Sequence, residues 1–173
     1  MTVIVVDVET DGPIPYEYSM ISFGAVIVDN DLNKTFYGKL KPISNKWIPE
    51  ALAISGFSRE ETMTFDEPKK VIENFASWIS NHAKSRPLFF SDNNGFDWQF
   101  INWYFHYFTG NNPFGFSSNN IGSLYKGMVS DMFKNFKHLR KTKHTHNPVD
   151  DAMGNAEALL YMKNDMGLKI SLK

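Results

Sequence analysis

Residues 2–6, TVIVV, run directly into DVETDG at residues 7–12. The apolar run reads as a buried strand. Three acids between Asp7 and Asp11 are what a buried strand tolerates least, because an unpaired carboxylate loses its hydration there. On a strand, residues two apart share a face, so Asp7 and Glu9 point the same way. Either the strand has ended, with Thr10 or Asp11 opening a turn, or positive charge meets the acids.

The next segments limit the fold further. SMISFGAVIVD (19–29) is a second strand, DNDLN (29–33) is turn chemistry, and KTFYGKLKP (34–42) alternates as a third strand. The connections are too short for crossover helices, so the chain opens as an antiparallel meander. Residues 42–66 look irregular, with a short helix in PEALAIS. Val71, Ile72, Phe75, Trp78 and Ile79 fall at helical spacing between Asp66 and His82, and Pro68 suits the first turn. PLFFSD (87–92) is a short buried strand, Trp98–Phe108 an aromatic helix and 109–123 a loop. A mostly helical stretch follows from Leu124 to Leu139, with a short strand near 128–131 as an option. Asp150–Asn164 is the last helix. This order predicts an α/β fold with a mixed sheet, as a single domain over 1–173.

Composition excludes some classes. Apolar residues make up 42% and aromatic residues 15%, enough for a core and unlike a disordered chain. Apolar runs fall short of the roughly 20 residues of a membrane span. No charged leader with an apolar segment precedes Asp7, and there is no cysteine. A cytoplasmic protein is therefore expected, without disulfides or thiolate metal sites. The net charge of −1 argues neither for nor against nucleic acid. Local charge says more: KNFKHLRKTKHTH (134–146) carries five cations, three histidines and no acid. It reads as a solvated face or as a phosphate-attracting patch.

Further acids stand apart in sequence. Asp97 opens the aromatic helix in FDWQF and would serve as an N-cap. Asp150 and Asp151 open the last helix, where the helix dipole favours acids. His146 precedes Asp151 by five residues and His144 by seven. Each feature has an ordinary structural explanation when taken singly. Two adjacent carboxylates on one strand face also repel and desolvate badly unless divalent cations neutralise them, and hard oxygen donors suit Mg²⁺ or Mn²⁺.

Taken in order, DVET, FDWQF and HNPVDDA resemble the three motifs of the DEDDh branch of 3′-to-5′ exonucleases, which have an RNase H-like fold. Asp7 and Glu9 match D-x-E, Asp97 after Phe96 matches the second motif, and His146, Asp151 and Ala152 match H-x4-D-A. The same interval from His144 reaches Val149, which cannot bind a metal. The resemblance covers roughly residues 3–162 and includes WIPEALAISGFSREE, although Ser55 stands where many relatives carry His. It suggests a compact bacterial or phage-type exoribonuclease.

The resemblance implies phosphodiester hydrolysis with two Mg²⁺ or Mn²⁺ ions about 3.5–4 Å apart. It assigns Asp7 as the bridging ligand, Glu9 and Asp151 to the water-activating site, and Asp97 to holding the cluster. His146 becomes the general base, and products are nucleoside 5′-monophosphates. The expected partner is single-stranded nucleic acid, with RNA 3′ ends favoured over DNA, and no membrane. Thr10, Phe96, Lys141 and Lys143 are candidate substrate contacts. A homodimer through the aromatic helix is also expected of such a family, though a core role explains that helix equally well. Two rivals remain. DVETDG superficially resembles the D-x-D-x-T loop of haloacid dehalogenase-like phosphatases, which use a parallel sheet. An RNase H-like module that binds strands without cutting them should have lost some of these acids.

Overall fold

The computed structural model describes residues 1–172. β1 (Val3–Thr10), β2 (Met20–Ile27) and β3 (Thr35–Lys39) form the antiparallel meander. β4 (Leu88–Ser91) then joins β1 in parallel, and β5 (Ser118–Asn120) joins β4 in parallel. The sheet order is β3-β2-β1-β4-β5. This mixed sheet is the RNase H-like arrangement, and its antiparallel half conflicts with the parallel sheet of the phosphatase rival.

The helices are α1 (Pro49–Ile54), α2 (Arg59–Thr62), α3 (Pro68–His82), α4 (Asn94–Thr109), α5 (Ile121–Val129) and α6 (Pro148–Asp165), with a 3-10 turn at Lys137–Leu139. Among the described residues, no helix is long and apolar enough to cross a membrane. Strand alternation divides the core in two. Ile4, Val6 and Val8 face α3 and α4 in a layer built on Phe23, Phe75, Phe89, Phe100 and Phe105. Val3 and Val5 face the other side, against Ala152, Ala156, Leu159 and Met162 of α6. Asp7 and Glu9 continue this second stripe, so the face that begins as valine ends as acid.

Two predicted elements differ. The expected helix over 124–139 stops at Val129, where Ser130 takes φ +54° and terminates it. No strand forms at 128–131. The fifth strand lies instead at 118–120, inside the stretch read as loop, and its residues are Ser, Asn and Asn. Side-chain amides supplement its ladder: Asn119 donates to the Phe89 carbonyl and Asn120 to that of Asp92. Such a strand has no apolar signature. The irregular 42–66 region also contains α2, opened by a Ser58/Glu61 capping box.

In the aromatic helix, Phe105 is buried and Trp98 and Trp103 pack against the core. Tyr107 lies exposed and stacks on Trp103 at 4.5 Å.

Candidate active site

β1 lies mid-sheet and brings Asp7 and Glu9 to its C-terminal half. β4 pairs with β1 only as far as Val5 opposite Phe90. Beyond that point the chain turns into α4, whose first turn delivers Asp97. Asp97 is buried, and the Ser91 side chain and the Val8 backbone lie near enough to favour its charged form. Its Oδ2 is buried without a partner.

α6 supplies Asp151, and a glycine permits the approach. Gly24 pairs with Asp7 across the sheet. A Cβ on Gly24 would lie 2.3 Å from the Pro148 backbone, so only glycine lets the first turn of α6 rest on β2. Asn147 caps this helix by accepting from the Val149 N–H, and Pro148 occupies its first turn. Asp151 is then 2% exposed, and it accepts the Thr145 and His146 backbone N–H groups at 3.1 Å each. His146 takes φ +60°, a left-handed conformation uncommon outside glycine. That turn aims two successive N–H groups at one carboxylate.

Oxygens of Asp7, Glu9 and Asp151 lie within 4.8 Å of one another. Asp97 stands outside this tight group but close enough to act on Asp7 through its charge. His146 Nδ1 is 3.7 Å from Glu9 Oε1, longer than a hydrogen bond, with its side chain about half exposed. The structure therefore brings together the five residues that the motifs single out.

The electrostatics follow from that crowding. Burial raises the Asp7 carboxyl well above its ordinary value, and Asp97, Asp151 and Glu9 raise it further. Burial, reinforced by Asp151, pushes Glu9 up to about 7. Asp97 is pushed to about 8, mainly by burial. Three acids that resist ionisation in one place, one with an orphaned oxygen, form a donor set suited to divalent cations. All the donors are hard oxygens, as such cations prefer. Asp7, Glu9, Asp97 and Asp151 fit that role.

Asp11, the third acid of DVETDG, lies elsewhere. It is fully buried and paired with Arg59 at 2.8 Å, and it also accepts the Ser19 N–H. This pairing ties β1 to α2. Thr10 is buried and its hydroxyl donates to the Gly12 carbonyl. Thr10 and Phe96 line a cleft of about 370 Å³ beside Glu9, together with Pro13, Ile48, Ala51 and Ile54. Lys141 and Lys143 are exposed.

Two residues escaped the sequence reading. Arg140 is no solvated member of the basic run. Its side chain is 9% exposed, and its guanidinium joins Asp92, after β4, to Asn155 of α6. It is also the cation that partly offsets the charge around Asp7. His144 places Nδ1 2.8 Å from Asp151 Oδ1 and meets the His146 ring edge to face at 4.3 Å. The H-x-H spacing was visible in the sequence, but only the left-handed turn at His146 brings both rings to one acid.

The mixed sheet and the clustered acids define an RNase H-like, carboxylate-centred nuclease of the DEDDh type. The chain belongs to the exonuclease family: the family's sequence profile, RNase_T, described as Exonuclease, matches residues 4–159. It is 42% identical over 126 residues to the 3′-5′ DNA exonuclease Cap18 of Escherichia coli, spanning 71% of this chain and 67% of that protein. The nuclease domain of 3′hExo, a DEDDh family member solved bound to rAMP, superposes with a TM-score of 0.73 at 16% identity, over 99% of this chain and 96% of that one. E. coli Exonuclease I in complex with a dA16 oligonucleotide gives 0.73 at 17% identity, over 95% of this chain. This chain spans only 41% of Exonuclease I. At these identities the two structures establish the fold.

Proposed function

We propose that this exonuclease removes nucleotides from the 3′ end of single-stranded nucleic acid with the aid of two Mg²⁺ or Mn²⁺ ions, releasing nucleoside 5′-monophosphates. The observation that carries the reading is the convergence of Asp7, Glu9 and Asp151 within 4.8 Å, with Asp97 behind them and His146 beside Glu9.

Asp7, Glu9, Asp97 and Asp151 would hold the ions, which supply Lewis acidity toward a phosphate oxygen and a water. The chain's own residues do the rest. His146 sits at the rim, half exposed, where its imidazole would accept a proton from the attacking water. That water's oxygen forms the new bond to phosphorus, and the bond from phosphorus to the 3′ oxygen of the preceding nucleotide breaks. The gap between His146 and Glu9 suits a group that tightens on its substrate, since catalytic hydrogen bonds are often long in free enzymes.

The apolar cleft next to Glu9 suits the terminal nucleotide, with Phe96 offering a stacking face and Thr10 a polar edge. Lys141 and Lys143 lie in the segment leading to His146 and would attract upstream phosphates. The resemblance to compact exoribonucleases favoured RNA. Similarity to a protein named as a DNA exonuclease shifts the preferred substrate to single-stranded DNA.

A time course on 5′-labelled DNA and RNA strands with Mg²⁺, Mn²⁺ or EDTA tests the reading. It predicts a ladder shortening from the 3′ end, faster on DNA and absent with EDTA. Internal cuts or metal-independent products would overturn it. Binding without any product would favour the non-cleaving module.

A further inference from the structure

We propose that His144, His146 and Asp151 form an inhibitory site, overlapping the acid cluster at Asp151, for a nitrogen-preferring transition-metal ion, with Zn²⁺ as the ion to test. Ligand atoms of these three residues lie within 4.8 Å of one another. The site differs in chemistry from the acid cluster. Asp7, Glu9 and Asp97 offer only oxygen, whereas this group offers two imidazoles and one carboxylate, a set that suits Zn²⁺ far better than Mg²⁺.

The geometry is partly built. Asp151 is fixed from below by the Thr145 and His146 N–H groups. His144 Nδ1 already reaches Asp151 Oδ1 at 2.8 Å, and the two rings are 4.3 Å apart, edge to face. Ligands around a tetrahedral zinc, each about 2.0–2.1 Å from the metal, stand roughly 3.3 Å apart. The present spacing needs only small rotations of two side chains that are 54% and 48% exposed. That exposure leaves a fourth position open to water. His144 is not part of the H-x4-D pattern, so the site is a feature of this chain's H-x-H.

Occupation would remove both the imidazole that accepts the proton and one oxygen donor of the acid cluster. Inhibition therefore rests on the function proposed above, whereas zinc binding does not. The test uses the full chain, stripped by chelator and then saturated with Mg²⁺. Zn²⁺ is titrated calorimetrically into the wild type, His144→Ala and His144→Gln. The inhibition midpoint for each protein is read against its own zinc-free rate, and thermal melts verify folding.

The expected result is one tighter zinc event in the wild type, weakened by about tenfold or more in both variants, as loss of a ligand should do. The inhibition midpoint should shift by a similar factor. Equal zinc affinity in all three proteins would overturn the proposal, because zinc would then simply be competing for the acid cluster. Equal inhibition midpoints despite different affinities would overturn its inhibitory half. If no protein cleaves DNA yet the affinity difference persists, the proposed function fails and the metal site stands.

Discussion

Asp7 and His146 belong to one site but to different kinds of structure. Asp7 lies on the central strand, paired on one side with β2 and enclosed by α6 and the start of α4. His146 lies in a loop, in a left-handed conformation, with half its side chain in solvent. Asp7 cannot move without moving the sheet, whereas His146 can adjust within its turn. The fold thus fixes the charges that repel one another and leaves adjustable the group assigned to proton transfer. Positioned carboxylates tolerate little displacement, and a proton acceptor need only reach its water when substrate is present.

If this division holds, variants of the two halves should fail differently. The largest effect should come from Asp7→Asn, with DNA cleavage falling by about a thousandfold or more because charge at the centre of the cluster is lost. Single-turnover rates at saturating Mn²⁺ measure this, and a loss below tenfold would break the comparison. His146→Ala should come next, lowering turnover by about 10²- to 10⁴-fold. Calorimetric Mn²⁺ binding should stay close to wild type. Weakened binding in that variant would place the imidazole among the ligands instead.

A smaller effect sharpens the picture from outside the site. Gly24→Ala puts a methyl group into the Pro148 backbone, which must shift. Overpacking of this kind costs about 1–3 kcal/mol, measurable by urea unfolding. Asp151 rides on that helix, so activity should fall beyond what the lost stability explains. Full activity in a destabilised protein would show that the start of α6 tolerates displacement.

The smallest effect is on pH dependence. Glu9 titrates near 7 and Asp97 near 8 in the folded protein without metal, against ordinary values of 4.5 and 3.8. The folded state therefore keeps protons that the unfolded chain has released, and stability falls as pH rises through this window. In EDTA, the melting temperature should drop by roughly 5 °C between pH 6.5 and 7.5. Differential scanning calorimetry checks this slope, and Mn²⁺ should flatten it.

The two halves also differed in how far they could be read from sequence. The meander was legible because each strand shows apolar runs or alternation, and short connections force antiparallel pairing. Asp7 and Glu9 were legible because a period of two puts them on one face. Asp97, His146 and Asp151 needed the motif pattern, since no local rule says that three distant segments meet. β5 was hidden because polar Ser-Asn-Asn signals a loop, and its pairing partner β4 lies far back in the chain. Arg140 was hidden because a cation in a basic run looks solvated, and its partners Asp92 and Asn155 come together only in the folded protein. His144 was set aside on spacing to Val149, a rule about the chain that the turn at His146 makes irrelevant. The aromatic helix read equally as core or interface, and Phe105 places much of it in the core.

The central claim is that the buried acids repel until divalent cations join them. Its most direct test is the melting temperature of the chelator-treated protein at pH 8, with and without Mn²⁺, for the wild type and Asp7→Asn. The account predicts that Asp7→Asn melts above the wild type in EDTA, and that Mn²⁺ raises the wild type while moving the variant little. A wild type insensitive to Mn²⁺, or a variant that melts lower in EDTA and responds equally, would contradict it.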